Sequence, residues 1–315
     1  MVSVTDIERA RARLAGRLHR TPTVSATSLG ARVGARLWLK AELFQKTGSF
    51  KPRGVLNKLL TLSDAERRRG FVSLSAGNHA QALAWGAAQV GSHAVVIMPA
   101  RAARSKIDAT RAYGGEVVLT ERPLLDVCHE VRDERRLVLV HPFDDPVVIA
   151  GAGTVGLEVL EDAAEVRTVV VPVGGGGLLS GVAAAIKGSR SDVRVVGVEP
   201  EGSDVMSRSL AAGRPERLER SDTIADGLAA PFVGEVTLAH TQRFVDEVVR
   251  VSEEAIQEAM RALLRRAKLV CEPAGAASYA ALLEARLDPG EGQVVCIVSG
   301  GNVDDEVLRR VLASA

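Results

Sequence analysis

Four short segments of this sequence combine residue types that could do chemistry. The first, GSFKPRG at residues 48–54, sets Lys51 between an aromatic residue and a proline, with glycines on either side. A lysine amine acts as a nucleophile near neutral pH only when partly desolvated, and Phe50 supplies an apolar neighbour of that kind. A lysine beside a proline also suits an exposed loop, so this segment alone leaves both uses open. The second segment runs Ser75-Ala76-Gly77-Asn78-His79 between an apolar run and an apolar-periodic stretch. Small residues at a helix start leave several backbone N–H groups free, which makes a cradle for a carboxylate or a phosphate. Asn78 adds an amide that could reach a ring hydroxyl. The competing reading is an ordinary capped turn with His79 packed inside.

The third segment, VVVPVGGGGLLSG, places Gly174, Gly175, Gly176 and Gly177 between a buried strand and an uncharged helix. Adjacent glycines let the backbone approach an anion closely and turn its N–H groups inward. A nucleotide P-loop would continue with Lys and then Ser or Thr, whereas Leu178 and Leu179 stand here, which leaves a cofactor monophosphate as the fit. The fourth, VVCIVSGGNVDD, ends an apolar run at Ser299, whose hydroxyl could meet a ring nitrogen while staying uncharged, or could simply open a polar turn. Gly151, Gly153 and Gly156 also satisfy GxGxxG, but a dinucleotide site needs a good preceding strand and an acidic residue about 20 positions on, and neither is present.

Elements able to position these segments follow from periodicity. Short β-branched runs at 71–74, 94–98, 116–119, 138–140, 169–173, 193–198 and 294–298 alternate with helical patterns such as 80–90 and 253–267. Strands buried on both faces and separated by helices predict an α/β protein with mainly parallel sheets, whose ligands sit where strand C-termini meet helix N-termini. The uncharged stretch 168–186 approaches the length of a membrane span, but Pro172 and the four glycines break it into a strand, a turn and a helix. Residues 213–220 are polar and loop-like.

Composition narrows the function classes. With 315 residues, 46% of them apolar, the chain can bury a large core. Forty Lys and Arg against 39 Asp and Glu leave a net charge of +1, too little field for a nucleic-acid partner. Three cysteines, Cys128, Cys271 and Cys296, lack metal-site or CxxC spacing, and the N-terminal residues lack a signal-peptide pattern, so a cytoplasmic setting is expected.

Together, and in this order, the segments resemble the fold-type II pyridoxal 5′-phosphate (PLP) enzymes, specifically the threonine/serine dehydratase and serine racemase group. LWLKAELFQKTGSFKPRG, SAGNHAQALAWGA, HPFDDPVVIAGAGTVGLEVL, VPVGGGGLLSG, VVGVEPEGSD, TIADGLA, CEPAGAAS and VSGGNVDD carry the likeness across nearly the whole chain. The resemblance implies that Lys51 holds PLP covalently, that Phe50 packs on the cofactor ring and that Asn78 bonds its hydroxyl. Gly174, Gly175, Gly176, Gly177 and Leu178 would bind the phosphate, and Ser299 would meet the ring nitrogen. Ser75, Ala76, Gly77, Asn78 and His79 would hold the substrate carboxylate on backbone amides and short side chains. The GxGxxG match would be a family loop.

The resemblance also implies two three-layer α/β/α domains, a large one from residues 1–69 plus 146–315 and a small one inserted at 70–145, with a homodimer or larger assembly. The implied reaction is dehydration and deamination of L-threonine or L-serine to a 2-oxo acid and ammonia. The alternatives are a hydroxyaspartate or phenylserine dehydratase, an amino-acid racemase, or a non-catalytic binding protein. Racemases of this group carry a serine as the acid opposite the lysine, where this chain has Ala76, and an asparagine where it has Phe143. Metal-binding members use a glutamate, a carbonyl and an aspartate; Glu199 and Ser203 match the first two, but Val205 takes the third place with Asp204 one position off, so no metal is expected.

Overall fold

Valine-rich runs build two sheets in the computed structural model, which describes residues 1–313. The strands are β1 (Thr23–Ser25), β2 (Arg36–Ala41), β3 (Phe71–Leu74), β4 (Ala94–Pro99), β5 (Glu116–Thr120), β6 (Val138–Leu139), β7 (Val166–Pro172), β8 (Arg194–Pro200), β9 (Glu247–Val251) and β10 (Gln293–Val298). The larger sheet has the order β1-β2-β10-β7-β8-β9, and only the β1 and β2 pair is antiparallel. The smaller sheet, β5-β4-β3-β6, is wholly parallel. All four of its strands come from one continuous stretch, while the chain before and after that stretch builds the larger sheet.

Both sheets are covered on two faces, because successive strand residues point to opposite sides. In β7, Val170 joins a core with Leu39, Ile256 and Tyr279, while Val169 and Val171 join one with Leu179 and Val182. In β4, Val96 and Met98 pack with Leu83, while Val95 and Ile97 pack with Val127 and Cys128. Two three-layer α/β/α units result. The uncharged stretch is resolved into β7, a glycine turn and the helix Gly177–Ser189, and no helix among the described residues is long and apolar enough to cross a membrane.

Two local expectations change. The GxGxxG match is not a loop: it lies inside the helix Pro146–Asp162, whose start is capped by the Asp145 carboxylate accepting from the Val147 N–H. Its glycines serve close packing. A side chain on Gly151 would collide with the Arg53 carbonyl, and one on Gly153 would come 2.8 Å from the Gly181 carbonyl. The helix read as 253–267 is regular only over Glu253–Ala262; Leu263–Ala267 widens into a π turn that ends at Lys268 in the left-handed region (φ 61°).

Candidate active site

Lys51 opens the helix Lys51–Thr61, with Pro52 in its first turn, where a missing N–H costs no hydrogen bond. The loop before it is tied to the end of β10. The Phe50 N–H donates to the Ser299 carbonyl at 3.0 Å, and the Gly301 N–H donates to the Gly48 carbonyl at 2.9 Å. Asn302 extends this seam by donating from Nδ2 to the Thr47 carbonyl and to Asn78 Oδ1, each at 2.7 Å. Three segments far apart in sequence therefore meet at strand C-termini.

The tetraglycine turn completes the cleft. Gly176 adopts φ +89° at the start of the helix Gly177–Ser189, leaving first-turn N–H groups available for an anion. Side chains on Gly175 or Gly177 would run into Phe143, and one on Gly174 would stand 3.1 Å from the Leu228 Cα. Glycine is demanded at Gly176 by its positive φ and at Gly175 by the Phe143 ring, while at Gly174 and Gly177 a side chain would be crowded.

These elements enclose a cavity of about 550 Å³ that includes every residue the sequence reading assigned to the site. Its size falls in the range of small-molecule sites. Lys51 is half-buried; its Nζ donates to the Pro142 carbonyl at 3.0 Å and lies 5.2 Å from the Phe50 ring centre. Desolvation brings the Lys51 amine down to about 8, against the opposing pull of Glu272. Ser299 is buried at the cavity edge, its hydroxyl donating weakly to the Ala274 carbonyl at 3.5 Å. Asn78 donates from Nδ2 to Glu272 Oε1 at 2.6 Å.

His79 has a packed side chain. Its imidazole is turned away from solvent, with Nε2 within 3.0 Å of Ser73 Oγ and 3.2 Å of the Val140 carbonyl. Burial holds it well below the usual histidine range. The packed-residue reading holds for this side chain, so any contact of His79 with a ligand is through its main chain.

Sequence reasoning missed three features of the cavity. Glu272 lines it, yet its position before Pro273 at a helix start reads as an ordinary capping acid. His141 accepts from the Asp144 N–H at 2.8 Å through Nδ1, which shapes the turn carrying Pro142 and Phe143. At the mouth, Lys106 pairs with Asp226 and Ser105 with Asp304, joining the helix Arg104–Ala112 beside the smaller sheet to loops of the larger unit. Only the collinearity of TIADGLA and VSGGNVDD with Lys51 hinted at these last two acids.

The Glu199 region is otherwise engaged. Its buried carboxylate accepts from the Met206 N–H at 2.7 Å, the Ser207 N–H at 2.9 Å and the Ser207 hydroxyl at 2.7 Å, capping the helix Val205–Ala212. Asp204 turns to Arg208 and Arg250.

A lysine and a tetraglycine turn lining one cavity, among strands of two mainly parallel sheets, match the fold-type II PLP enzymes. The chain belongs to the family described as pyridoxal-phosphate dependent enzyme, whose model matches residues 14–300. It is 45% identical over 316 residues to the L-threonine ammonia-lyase of Thermotoga maritima, covering 99% of this chain and 78% of that one. It is 42% identical over 308 residues to the Escherichia coli protein named L-threonine dehydratase catabolic TdcB, covering 96% and 94%. Maize serine racemase superposes with a TM-score of 0.94 at 39% identity, covering 99% of this chain and 97% of that one.

Proposed function

We propose that this chain is a PLP-dependent ammonia-lyase that eliminates the β-hydroxyl of L-threonine or L-serine, releasing a 2-oxo acid and ammonia. The observation that carries the reading is Lys51, desolvated in a cavity that Ala76 also lines, the position where racemases of this group carry a serine acid. The relatives named L-threonine ammonia-lyase and L-threonine dehydratase support the same reaction.

PLP, when bound, supplies an electron sink for the charge left as the substrate Cα proton departs. The chain's own residues do the rest. Lys51 would hold the cofactor, and its Nζ would take the substrate Cα proton. Phe50 would pack on the ring and Asn78 would bond its hydroxyl. The N–H groups of Gly174, Gly175, Gly176, Gly177 and Leu178 hold the phosphate. Ser299 would meet the ring nitrogen as a neutral partner, which would keep the sink shallow and favour prompt elimination over transamination. Backbone N–H groups of Ser75, Ala76, Gly77, Asn78 and His79 orient the substrate carboxylate. Residues 70–145 act as a small domain that closes over the substrate and excludes water, with the large domain formed by 1–69 and 146–315, in a homodimer or larger assembly.

Oxo-acid release from L- and D-serine, L-threonine, 3-hydroxyaspartate and phenylserine tests the assignment, with D-serine formation followed in parallel. L-threonine or L-serine is the expected best substrate. Faster turnover of 3-hydroxyaspartate or phenylserine would replace that substrate, and racemisation faster than elimination would refute the role given to Ala76.

A pH dependence follows from Lys51. Its ammonium form has no lone pair, so below about 8 only a minor fraction can capture the PLP aldehyde. The rate of PLP uptake by cofactor-free protein should rise about tenfold per pH unit below that value and level off above it. Stopped-flow absorbance from pH about 6 to 9.5 measures this. A rate that keeps rising to pH about 9.5 without levelling off would place the amine at its ordinary value and contradict desolvation.

A further inference from the structure

Glu272 stands at the N-cap of the helix Pro273–Leu283 with extended backbone (φ −74°, ψ 161°), yet its side chain makes no capping hydrogen bond. An acid at this position ordinarily accepts from the first-turn N–H groups. Here the carboxylate turns into the cavity wall, where it is 4% exposed and meets Asn78 Nδ2 at 2.6 Å. The space it occupies exists because residue 300 is glycine: a Cβ on Gly300 would collide with Oε1. A buried carboxylate that gives up its cap and takes room from a neighbouring residue is placed for another purpose.

That purpose is legible in the Asn78 amide. Asn302 Nδ2 donates to Asn78 Oδ1 at 2.7 Å, and Glu272 Oε1 accepts from Asn78 Nδ2. A carboxylate has acceptor oxygens only, so the ionised Glu272 admits a single orientation of the amide, the same one favoured by Asn302, whose Nδ2 is held by the Thr47 carbonyl. With Oδ1 engaged on one side and one Nδ2 hydrogen on the other, the amide retains one further N–H. We infer that Glu272 is a positioning residue that, together with Asn302, holds Asn78 so that it presents an N–H, and not its carbonyl, to the cofactor ring hydroxyl. An N–H donor favours the oxyanion form of that hydroxyl, because hydrogen bonding to a charged form stabilises it. Lys51 and Lys106 are the cations whose charge Glu272 feels. The inference rests on the cofactor reading above.

The test uses full-length PLP-loaded Glu272→Gln and Glu272→Asp variants alongside wild type. Glutamine removes the charged acceptor and can donate as well as accept, so Asn302 alone is left to hold the amide; aspartate keeps the charge but falls short of Asn78. Both should bind PLP, while the pH midpoint between the yellow and near-ultraviolet forms of the bound chromophore moves up by about one unit, as expected for loss of one hydrogen bond to a charged group. Turnover of L-threonine should fall about tenfold with KM little changed, since the lost interaction acts on the reacting ring and not on substrate capture. Unchanged chromophore midpoints and turnover in both variants would overturn the role. If Glu272→Gln fails to fold, the Glu272→Asp midpoint decides by the same criterion. A wild-type protein that takes up no PLP would instead overturn the cofactor reading, and this inference with it.

Discussion

The Lys51→Ala protein should fold normally yet release oxo acid from L-threonine at least about 10⁴-fold more slowly than wild type. The loss combines the site that holds the cofactor with the group that takes the Cα proton, and the Lys51 amine is the one for which desolvation and cavity position coincide. Borohydride treatment should fix PLP to the wild-type chain at Lys51 and leave the variant unlabelled. Folding is not at risk. The amine has a folded pKa of about 8 against 10.5 in a free chain, so the unfolded state holds the proton more tightly and burial of Lys51 lowers the stability of the cofactor-free protein at neutral pH. Replacing it should leave the cofactor-free Tm unchanged or raised. Turnover within about a hundredfold of wild type would remove Lys51 from the proposed role.

Arg53 should behave in the opposite way, as a loss of stability. It lies on the same helix, two positions beyond Lys51, and its guanidinium makes two forked contacts. Nε and one terminal nitrogen meet Glu42 at 2.7 and 2.8 Å, and both terminal nitrogens meet Glu158 at 2.7 and 2.8 Å. Lys40, itself fully buried, adds a 2.7 Å contact to Glu158. Arg53→Ala leaves Glu42 buried with the Thr21 hydroxyl as its remaining partner, and the uncompensated charge should cost about 3–5 kcal/mol of folding free energy. Arg53→Lys should recover only part of this, because an ammonium cannot reproduce two planar forks. Urea denaturation at neutral pH measures both, and a loss below about 1 kcal/mol for Arg53→Ala would show that the cluster relaxes around the gap.

The two substitutions separate what could be read along the chain from what could not. Doubly buried strands, the tetraglycine turn and a lysine flanked by Phe50 and Pro52 are local matters: period, backbone sterics and the chemistry of adjacent side chains are carried by neighbouring residues. The same holds for the strand, turn and helix that broke the apparent membrane-length stretch. Local pattern misled on the element that carries one glycine motif, expected as a loop and found in a helix. Gly151, Gly153 and Gly156 match a phosphate-binding turn in spacing, but they serve the contact of the helix Pro146–Asp162 with its neighbours.

The polar interior was decided by tertiary structure alone. Among 40 basic and 39 acidic residues, nothing local distinguishes Lys40, Glu42, Arg53 and Glu158 from surface charges. They become a buried cluster because the helices Lys51–Thr61 and Pro146–Asp162 pack beside β2 and bring acid and base within bonding distance. His79 reads equally well as a ligand or a packed residue until β3 and β6 place Ser73 and Val140 against its ring. Glu272 reads as a helix cap until the fold carries Asn78, 194 positions away, to its carboxylate. Sequence determines which backbone a short segment prefers; which polar groups lose water, and so acquire shifted pKa values and fixed orientations, depends on the elements that cover them.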